Sequence, residues 1–342
     1  MVNLLNEISR RPIEKSIQQQ EFINRVKSAV KGDLWRKDSA ERLVKQNAVE
    51  LGLEVKCSKC SSWSWHSLSD VDYKLKCGLC LRQFNFPIFE PTGSNASKWA
   101  YRLVGPFALP DFARGGYAAS LAIRFFSTFA GHQDKAMAWS SGQEMTLPNG
   151  KKIEADFILW YQRQSLFGTD HPTEIVFGEA KSFGRDGLTR PARASSGAIK
   201  EDVFKEDDIE RMKALSEAFP GAVLVFATMK EANELTEKEV TRLRKLAVWG
   251  RDYIKEAHRT RAPVIVLTGT ELFAGHSLNL AWKEKGGEHE RLVSQEYVQS
   301  DRLNTLADLT QRLYLNMPAY HMWADAKWRA RQSRRKTVAK PK

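Results

Sequence analysis

Four cysteines constrain the fold of this chain more than any other feature. They form two Cys-x-x-Cys pairs, Cys57/Cys60 and Cys77/Cys80, and 16 residues separate the pairs. This spacing is typical of a zinc ribbon, in which two knuckles surround one Zn²⁺ tetrahedrally. Because sulfur would fill all four positions, such a metal is structural rather than catalytic. We therefore predict a zinc ribbon over residues 53–90 that folds around its metal.

Two disulfides are the competing interpretation of the same four cysteines, and they are typical of oxidising compartments. The N-terminal residues MVNLLNEISRRPIEKS are charged and lack an apolar segment followed by a cleavage site, so we predict no signal peptide. The sequence contains no run of 18 or more apolar residues, so we predict no transmembrane helix. We expect a cytoplasmic protein with reduced cysteines and no membrane partner.

A second informative stretch runs from Lys151 to Gly184 and is typical of two strands. Side chains alternate between the faces of a strand, so Glu179 and Lys181 share one face, and we expect Asp156 of the preceding strand beside them. Two carboxylates and an ammonium at the end of a sheet can hold Mg²⁺ and orient a water. The alternative is a plain Glu179–Lys181 ion pair on an edge strand.

The pattern of Asp156, a 22-residue gap and Glu179-Ala180-Lys181 resembles the PD-(D/E)XK phosphodiesterase superfamily, which has the restriction-endonuclease-like fold. In that family the acidic residues bind a divalent metal, and the lysine activates water to cleave DNA, less often RNA. The resemblance implies metal binding by Asp156, Glu179 and the Ala180 carbonyl, and water activation by Lys181. Two family features are absent: Ala155 replaces the proline, and the candidate helix 115–130 has no acidic residue.

Apolar strands and helices alternate after this stretch. Residues 222–228 (AVLVFAT) and 263–269 (PVIVLTG) are typical of buried strands, and residues 203–219 of an amphipathic helix. Thr236 and Glu239 form a capping box that begins another helix. These elements predict an α/β sandwich with a mixed sheet. Their order resembles the restriction-endonuclease-like fold over about residues 112–270.

We predict four parts along the chain. They are a helical N-terminal segment (1–52, with a helix over Asp38–Leu51), the zinc ribbon (53–90), a nuclease-like domain (99–270) and a helical C-terminal extension with a basic tail (271–342).

The net charge of +12 indicates a polyanionic partner. Eight basic and no acidic residues lie between Lys327 and Lys342. A Gly-, Ser- and Pro-containing segment after Lys181 carries four more cations and is predicted to be a loop that closes over a nucleic-acid backbone. A solvated, non-functional segment is the alternative in both cases. The four cations of the loop are Arg185, Arg190, Arg193 and Lys200.

We expect a nuclease dependent on Mg²⁺ or Mn²⁺ that hydrolyses phosphodiester bonds in DNA, as an endonuclease rather than an exonuclease. By analogy, its setting is bacterial or phage defence or DNA processing. A non-catalytic nucleic-acid-binding or adaptor protein with an inactive nuclease-like core is the alternative, and an RNA nuclease is a third possibility. The chain contains no Walker P-loop, so a separate ATPase or other subunit is an expected partner besides DNA.

Overall fold

The computed structural model describes residues 1–11, 15–30, 39–89, 95–129, 135–163, 172–183, 202–254, 259–274, 277–295 and 303–338. The chain divides into two compact units, Met1–Gly116 and Tyr117–Lys342. The predicted division into four parts stays a prediction.

The first unit combines short helices with antiparallel strands. Its helices are α1 (Val2–Ser9), α2 (Gln19–Ala29), α3 (Ser39–Lys45) and α4 (Pro110–Arg114). Its strands are β1 (Ser16–Gln18), β2 (Val49–Lys56), β3 (Trp63–Ser67), β4 (Lys74–Lys76), β5 (Gln83–Asn85) and β6 (Ser97–Leu103). A four-stranded sheet has the order β1-β6-β2-β3, and β4 and β5 form a separate hairpin.

The N-terminal helices cover one face of the four-stranded sheet. Ile8 of α1 and Phe22 of α2 pack with Val49 and Tyr101 from the strands in one apolar cluster. The predicted helix Asp38–Leu51 was wrong in its second half, because α3 ends at Lys45 and β2 begins at Val49. The alternation of Val49, Leu53 and Val55 toward the buried side explains why these residues form a strand.

The second unit alternates strands and helices. Its strands are β7 (Lys135–Thr146), β8 (Lys152–Arg163), β9 (Glu174–Lys181), β10 (Val223–Thr228), β11 (Tyr253–Ile254), β12 (Arg259–Thr260) and β13 (Val264–Leu267). Its helices are α5 (Gly116–Phe129), α6 (Glu206–Ala218), α7 (Glu237–Gly250), α8 (Gly269–Leu272), α9 (Leu278–Lys285), α10 (Gly287–Gln295), α11 (Leu303–Leu315) and α12 (Tyr320–Val338).

A five-stranded mixed sheet with the order β13-β10-β9-β8-β7 organises this unit. Strands β7, β8 and β9 form an antiparallel meander, whereas β10 and β13 continue the sheet parallel to β9. All six residues of β10 and all four of β13 are buried, as expected for parallel strands covered on both faces. The prediction of an α/β protein with a mixed sheet is confirmed.

Two local features of the second unit have a clear physical cause. The capping box that begins α7 is confirmed, since Thr236 Oγ1 accepts a hydrogen bond from the Glu239 N–H and the Glu239 carboxylate accepts one from the Thr236 N–H. The fully buried ring of Phe157 on β8 covers Gly178 of β9, and a Cβ added to Gly178 would lie 2.0 Å from that ring. Position 178 therefore requires glycine while Phe157 is present.

The C-terminal helices differ in burial. Leu309 and Leu315 of α11 are buried, whereas Met322 and Trp328 of α12 are 58% and 63% exposed. No described helix has the length and apolar character needed to cross a membrane.

Candidate functional site

The four cysteines meet in the first unit. Their sulfur atoms all lie within 4.8 Å of one another, with Cys57 Sγ 3.9 Å from Cys80 Sγ and Cys60 Sγ 3.7 Å from Cys77 Sγ. A disulfide has an S–S length of about 2.05 Å, so these distances describe free thiols. Sulfurs placed tetrahedrally about 2.3 Å from a zinc ion are roughly 3.8 Å apart.

The two Cys-x-x-Cys turns have the same backbone conformation. Lys59 N donates to Cys57 Sγ at 3.3 Å, and Leu79 N donates to Cys77 Sγ at 3.4 Å. The residue after each pair has a positive φ, 60° at Ser61 and 58° at Leu81. Each turn therefore directs N–H groups at its first sulfur, which is the arrangement that stabilises a thiolate ligand.

This cluster could hold a structural metal such as zinc. Cys57 and Cys77 are 1% and 0% exposed, which leaves little room for a substrate beside the metal. The hydroxyl of Ser62, followed by its backbone N–H, lowers the pKa of Cys60 to about 6. Against the backbone hydrogen bond of Arg82, burial and the neighbouring thiols raise the pKa of Cys80 to about 11, so without a metal the thiolate form is favoured at Cys60 and disfavoured at Cys80. Tetrahedral sulfur ligation without an open position fits a structural role.

The predicted acidic residues and lysine meet at one end of the mixed sheet. Phe157 of β8 pairs with Gly178 of β9, and the antiparallel register continued by one residue places Asp156 opposite Glu179. The backbone ladder ends there, and Asp156 Oδ2 accepts a hydrogen bond from Ala180 N at 2.6 Å. The side chain of Asp156 thus joins the two strands at the position where their pairing stops.

Glu179 lies at the centre of a charged cluster. Its residue exposure is 3%, and its Oε1 contacts Lys181 Nζ at 2.5 Å and Arg211 Nη2 at 3.1 Å. Asp208 Oδ1 contacts the same two cations, Arg211 Nη2 at 2.6 Å and Lys181 Nζ at 3.5 Å. We call Asp156, Glu179, Lys181, Asp208 and Arg211 the acid–base cluster.

Burial and charge shift the pKa values of this cluster in different directions. Burial raises the pKa of Glu179 to about 7, although Lys181 acts in the opposite direction. Burial also raises the pKa of Asp156, against the hydrogen bond from Ala180 N. Burial alone would lower the pKa of Lys181, but the carboxylates of Glu179, Asp208 and Asp156 together outweigh it and the pKa is raised. Displaced pKa values in a group of converging side chains are common at functional sites.

The sequence did not predict Asp208 and Arg211 as members of the cluster. Both lie on α6, where Asp208 Oδ2 accepts a hydrogen bond from Lys205 N at 2.7 Å. They directly precede Ile209 and Met212 of the buried stripe, so helical periodicity places them at its border. Polar residues at the border of an apolar stripe were the signal that could have found them.

Some predicted residues cannot be placed with the cluster. Arg185, Arg190, Arg193 and Lys200 lie outside the described residues. Glu154 lies on the same strand as Asp156 and is exposed.

Within the described ranges, the four cysteines are the only set of three or more His, Cys, Asp or Glu residues whose ligand atoms lie close enough to share a metal. The acids of the acid–base cluster therefore form no such set, and the two carboxylates at opposite strand positions are those of Asp156 and Glu179. Two carboxylates are a common protein contribution to Mg²⁺ sites, which keep several waters.

Comparison with known proteins identified no relative: no family model, curated protein or solved structure matches this chain.

Proposed function

We propose that this protein is a metal-dependent nuclease that hydrolyses phosphodiester bonds in DNA, with its active site at the acid–base cluster. The observation that carries the proposal is the register of β8 and β9, which sets Asp156 opposite Glu179 with Lys181 in contact. Two carboxylates and an ammonium at one sheet end are the groups that metal-assisted hydrolysis needs. We also propose that the α/β fold of the second unit is of the restriction-endonuclease-like type.

The element order supports this proposal. Helix α5 is followed by the meander β7-β8-β9, then by α6, β10, α7 and β13. The same order was expected from the resemblance to the PD-(D/E)XK superfamily. Asp156 lies on the middle strand of the meander, and Glu179 and Lys181 lie at the end of its last strand.

Each residue of the cluster has a proposed role. Asp156 and Glu179 would hold Mg²⁺ or Mn²⁺, with the Ala180 carbonyl as a further ligand. The metal would supply charge neutralisation at the phosphate and a bound water. Lys181, whose side chain is 32% exposed, would orient the water that attacks phosphorus. The cysteine cluster would maintain a folded module that binds the substrate or a partner protein.

One observation favours the second candidate, a non-catalytic nucleic-acid-binding protein. Lys181 and Arg211 together already neutralise Glu179 without a metal ion. A cluster in which two cations offset most of the charge of three carboxylates is also compatible with a purely structural remnant of a nuclease site. The two candidates differ in whether the cluster binds a divalent metal.

The direct experiment is a cleavage assay. The purified protein should cut linear, circular or single-stranded DNA when Mg²⁺ or Mn²⁺ is added, and RNA of matched sequence distinguishes a ribonuclease. Salt-dependent DNA binding without cleavage under either metal would favour the non-catalytic candidate.

Metal affinity should depend on pH in a defined direction. Because burial raises the pKa of Glu179 to about 7, a metal ion must displace a proton from this carboxyl at lower pH. We expect the Mn²⁺ association constant to rise about tenfold per pH unit below pH 7 and to level off above it. Isothermal titration calorimetry with metal-depleted, DNA-free protein between pH 5.5 and 8.5 measures this, after the cysteine site has been saturated with Zn²⁺.

The same pKa shift has a consequence for stability. The pKa of Glu179 in the folded protein lies above its ordinary value of 4.5. The contribution of this carboxyl to the free energy of unfolding is therefore fully present below pH 4.5 and is lost as pH rises through 7.

Glu179→Gln should remove both the Mn²⁺ binding and its dependence on pH. A Mn²⁺ affinity that is the same at pH 6 and pH 8 would contradict the assignment of Glu179 as a metal ligand.

A further inference from the structure

The guanidinium of Arg211 is only partly used by the protein. Its Nη2 donates to Glu179 Oε1 at 3.1 Å and to Asp208 Oδ1 at 2.6 Å. Its Nε is shielded from solvent, and no described residue accepts a hydrogen bond from it. A shielded donor without an acceptor is costly, and such a group in a folded protein calls for an explanation. An acceptor supplied by a ligand would satisfy this N–H.

The exposure of the cluster favours an anionic ligand. The side chains of Glu179 and Asp208 are 3% and 7% exposed, whereas those of Lys181 and Arg211 are 32% and 37% exposed. The acids therefore lie beneath the cations, and a molecule approaching from solvent meets positive charge first. Arginine presents neighbouring N–H groups in a planar fork that matches two oxygens of a phosphate.

We propose that Arg211 is a substrate-binding residue whose Nε and Nη2 bind the non-bridging oxygens of the phosphodiester to be cleaved. Nη2 would give up its hydrogen bond to Glu179 when that carboxylate holds the metal, and it would keep the one to Asp208. The inference rests on the proposed function, because it places a nucleic-acid phosphate beside Asp156 and Glu179. Asp208 is a positioning residue in this arrangement. It accepts hydrogen bonds from Arg211 Nη2 and Lys205 N, and so fixes the guanidinium relative to the first turn of α6.

A purely structural role is the competing explanation. Arg211 would then only join α6 to β9 through its ion pair with Glu179. Lysine could keep that ion pair, but it lacks the planar pair of donors that a phosphate needs. Arg211→Lys therefore separates the two roles, and Arg211→Gln removes the charge as well.

The experiment compares these two variants with wild type and with Lys213→Gln. Lys213 lies on the same helix, with its ammonium 5.5 Å from the centroid of the Trp249 ring, so its substitution removes one charge outside the cluster. Single-turnover DNA cleavage with Mg²⁺ is measured at saturating and limiting protein concentrations. Inhibition of cleavage by inorganic phosphate and the thermal unfolding midpoint are measured for each variant.

We expect both Arg211 variants to lower the cleavage rate at saturation by about 100-fold, the scale of one lost transition-state contact. Inhibition by inorganic phosphate should weaken at least tenfold in Arg211→Lys, in which a structural role would be retained. Lys213→Gln should behave as wild type in both assays. Unfolding midpoints of Arg211→Lys and wild type should agree within a few degrees.

Two results would overturn the inference in different ways. If wild type cleaves DNA and Arg211→Lys cleaves it at the same rate with the same phosphate inhibition, the Arg211 assignment fails and the proposed function stands. If wild type cleaves no nucleic acid under either metal, the proposed function fails and the Arg211 assignment fails with it. Should Arg211→Gln not fold, Arg211→Lys and the phosphate inhibition still decide between the two roles.

Discussion

Asp156→Asn should abolish DNA cleavage, with a loss of at least about 10²–10³-fold in the single-turnover rate. Asparagine has the shape of aspartate, and its side-chain oxygen can still accept the hydrogen bond from Ala180 N. The substitution therefore removes the negative charge without removing the link between β8 and β9. Lys181→Ala should cause a loss of the same order, because it removes the group that orients the attacking water.

Glu154→Gln is the matched control for Asp156→Asn. It removes a carboxylate from the same strand two residues earlier, where the side chain is exposed. We expect its rate to stay within about threefold of wild type, since exposed charges contribute little. Circular dichroism must show the same fold in all variants. Full cleavage by both Asp156→Asn and Lys181→Ala would exclude the acid–base cluster from the mechanism.

Loss of the cysteine ligands should have the largest effect on folding. In zinc-finger peptides at pH 7, a structural zinc ion contributes apparent binding free energies of about 10–16 kcal/mol. We expect the purified protein to contain one zinc ion per chain. Cys57→Ser and Cys77→Ser should each lose this metal and unfold the segment around β4 and β5. Elemental analysis by mass spectrometry and proteolysis of that segment measure the two effects.

Ser58→Ala is the control within the same turn. Ser58 is exposed between the two cysteines of the first pair, so its hydroxyl is not needed for metal binding and the zinc content should remain unchanged. Metal-free protein with no titratable thiols would instead indicate two disulfides. That result would also require the sulfur atoms to approach from 3.7–3.9 Å to about 2.05 Å.

Two strands of the second unit were predictable because they are short apolar runs bounded by turn residues. The predicted strands 222–228 and 263–269 correspond to β10 (Val223–Thr228) and β13 (Val264–Leu267). Helix α7 begins at its predicted capping box, because this signal depends only on residues three apart. Local chemistry is sufficient to specify elements of this kind.

Strand β2 was missed although it pairs with the nearby β3 as well as with the distant β6. Its pairing with β6 joins Val49 to Leu103 and Val55 to Ser97, and the sequence alone shows neither contact. The segment before β2 has helical periodicity, which led to a predicted helix that continued too far. The alternation of Val49, Leu51, Leu53 and Val55 was the available signal for a strand.

The candidate site was predictable only in part for a similar reason. Asp156, Glu179 and Lys181 lie on adjacent strands of one meander. In the sequence they were grouped by the alternation of side chains along a strand and by the resemblance to the PD-(D/E)XK pattern. Asp208 and Arg211 join them from a helix that follows a long connection. The border of the apolar stripe of α6 marks both residues as candidates, but the strand that this border meets depends on how α6 packs against β9.

The contact between Phe157 and Gly178 limits how the strand carrying Glu179 can diversify. Any residue other than glycine at position 178 collides with a buried ring, and a smaller residue at position 157 alone leaves a void in the core. Each single substitution is costly, whereas a coordinated exchange of bulk between the two positions is compatible with the same backbone. Positions 157 and 178 should therefore covary among descendants of this protein, and a change at position 178 should occur together with a compensating change at position 157.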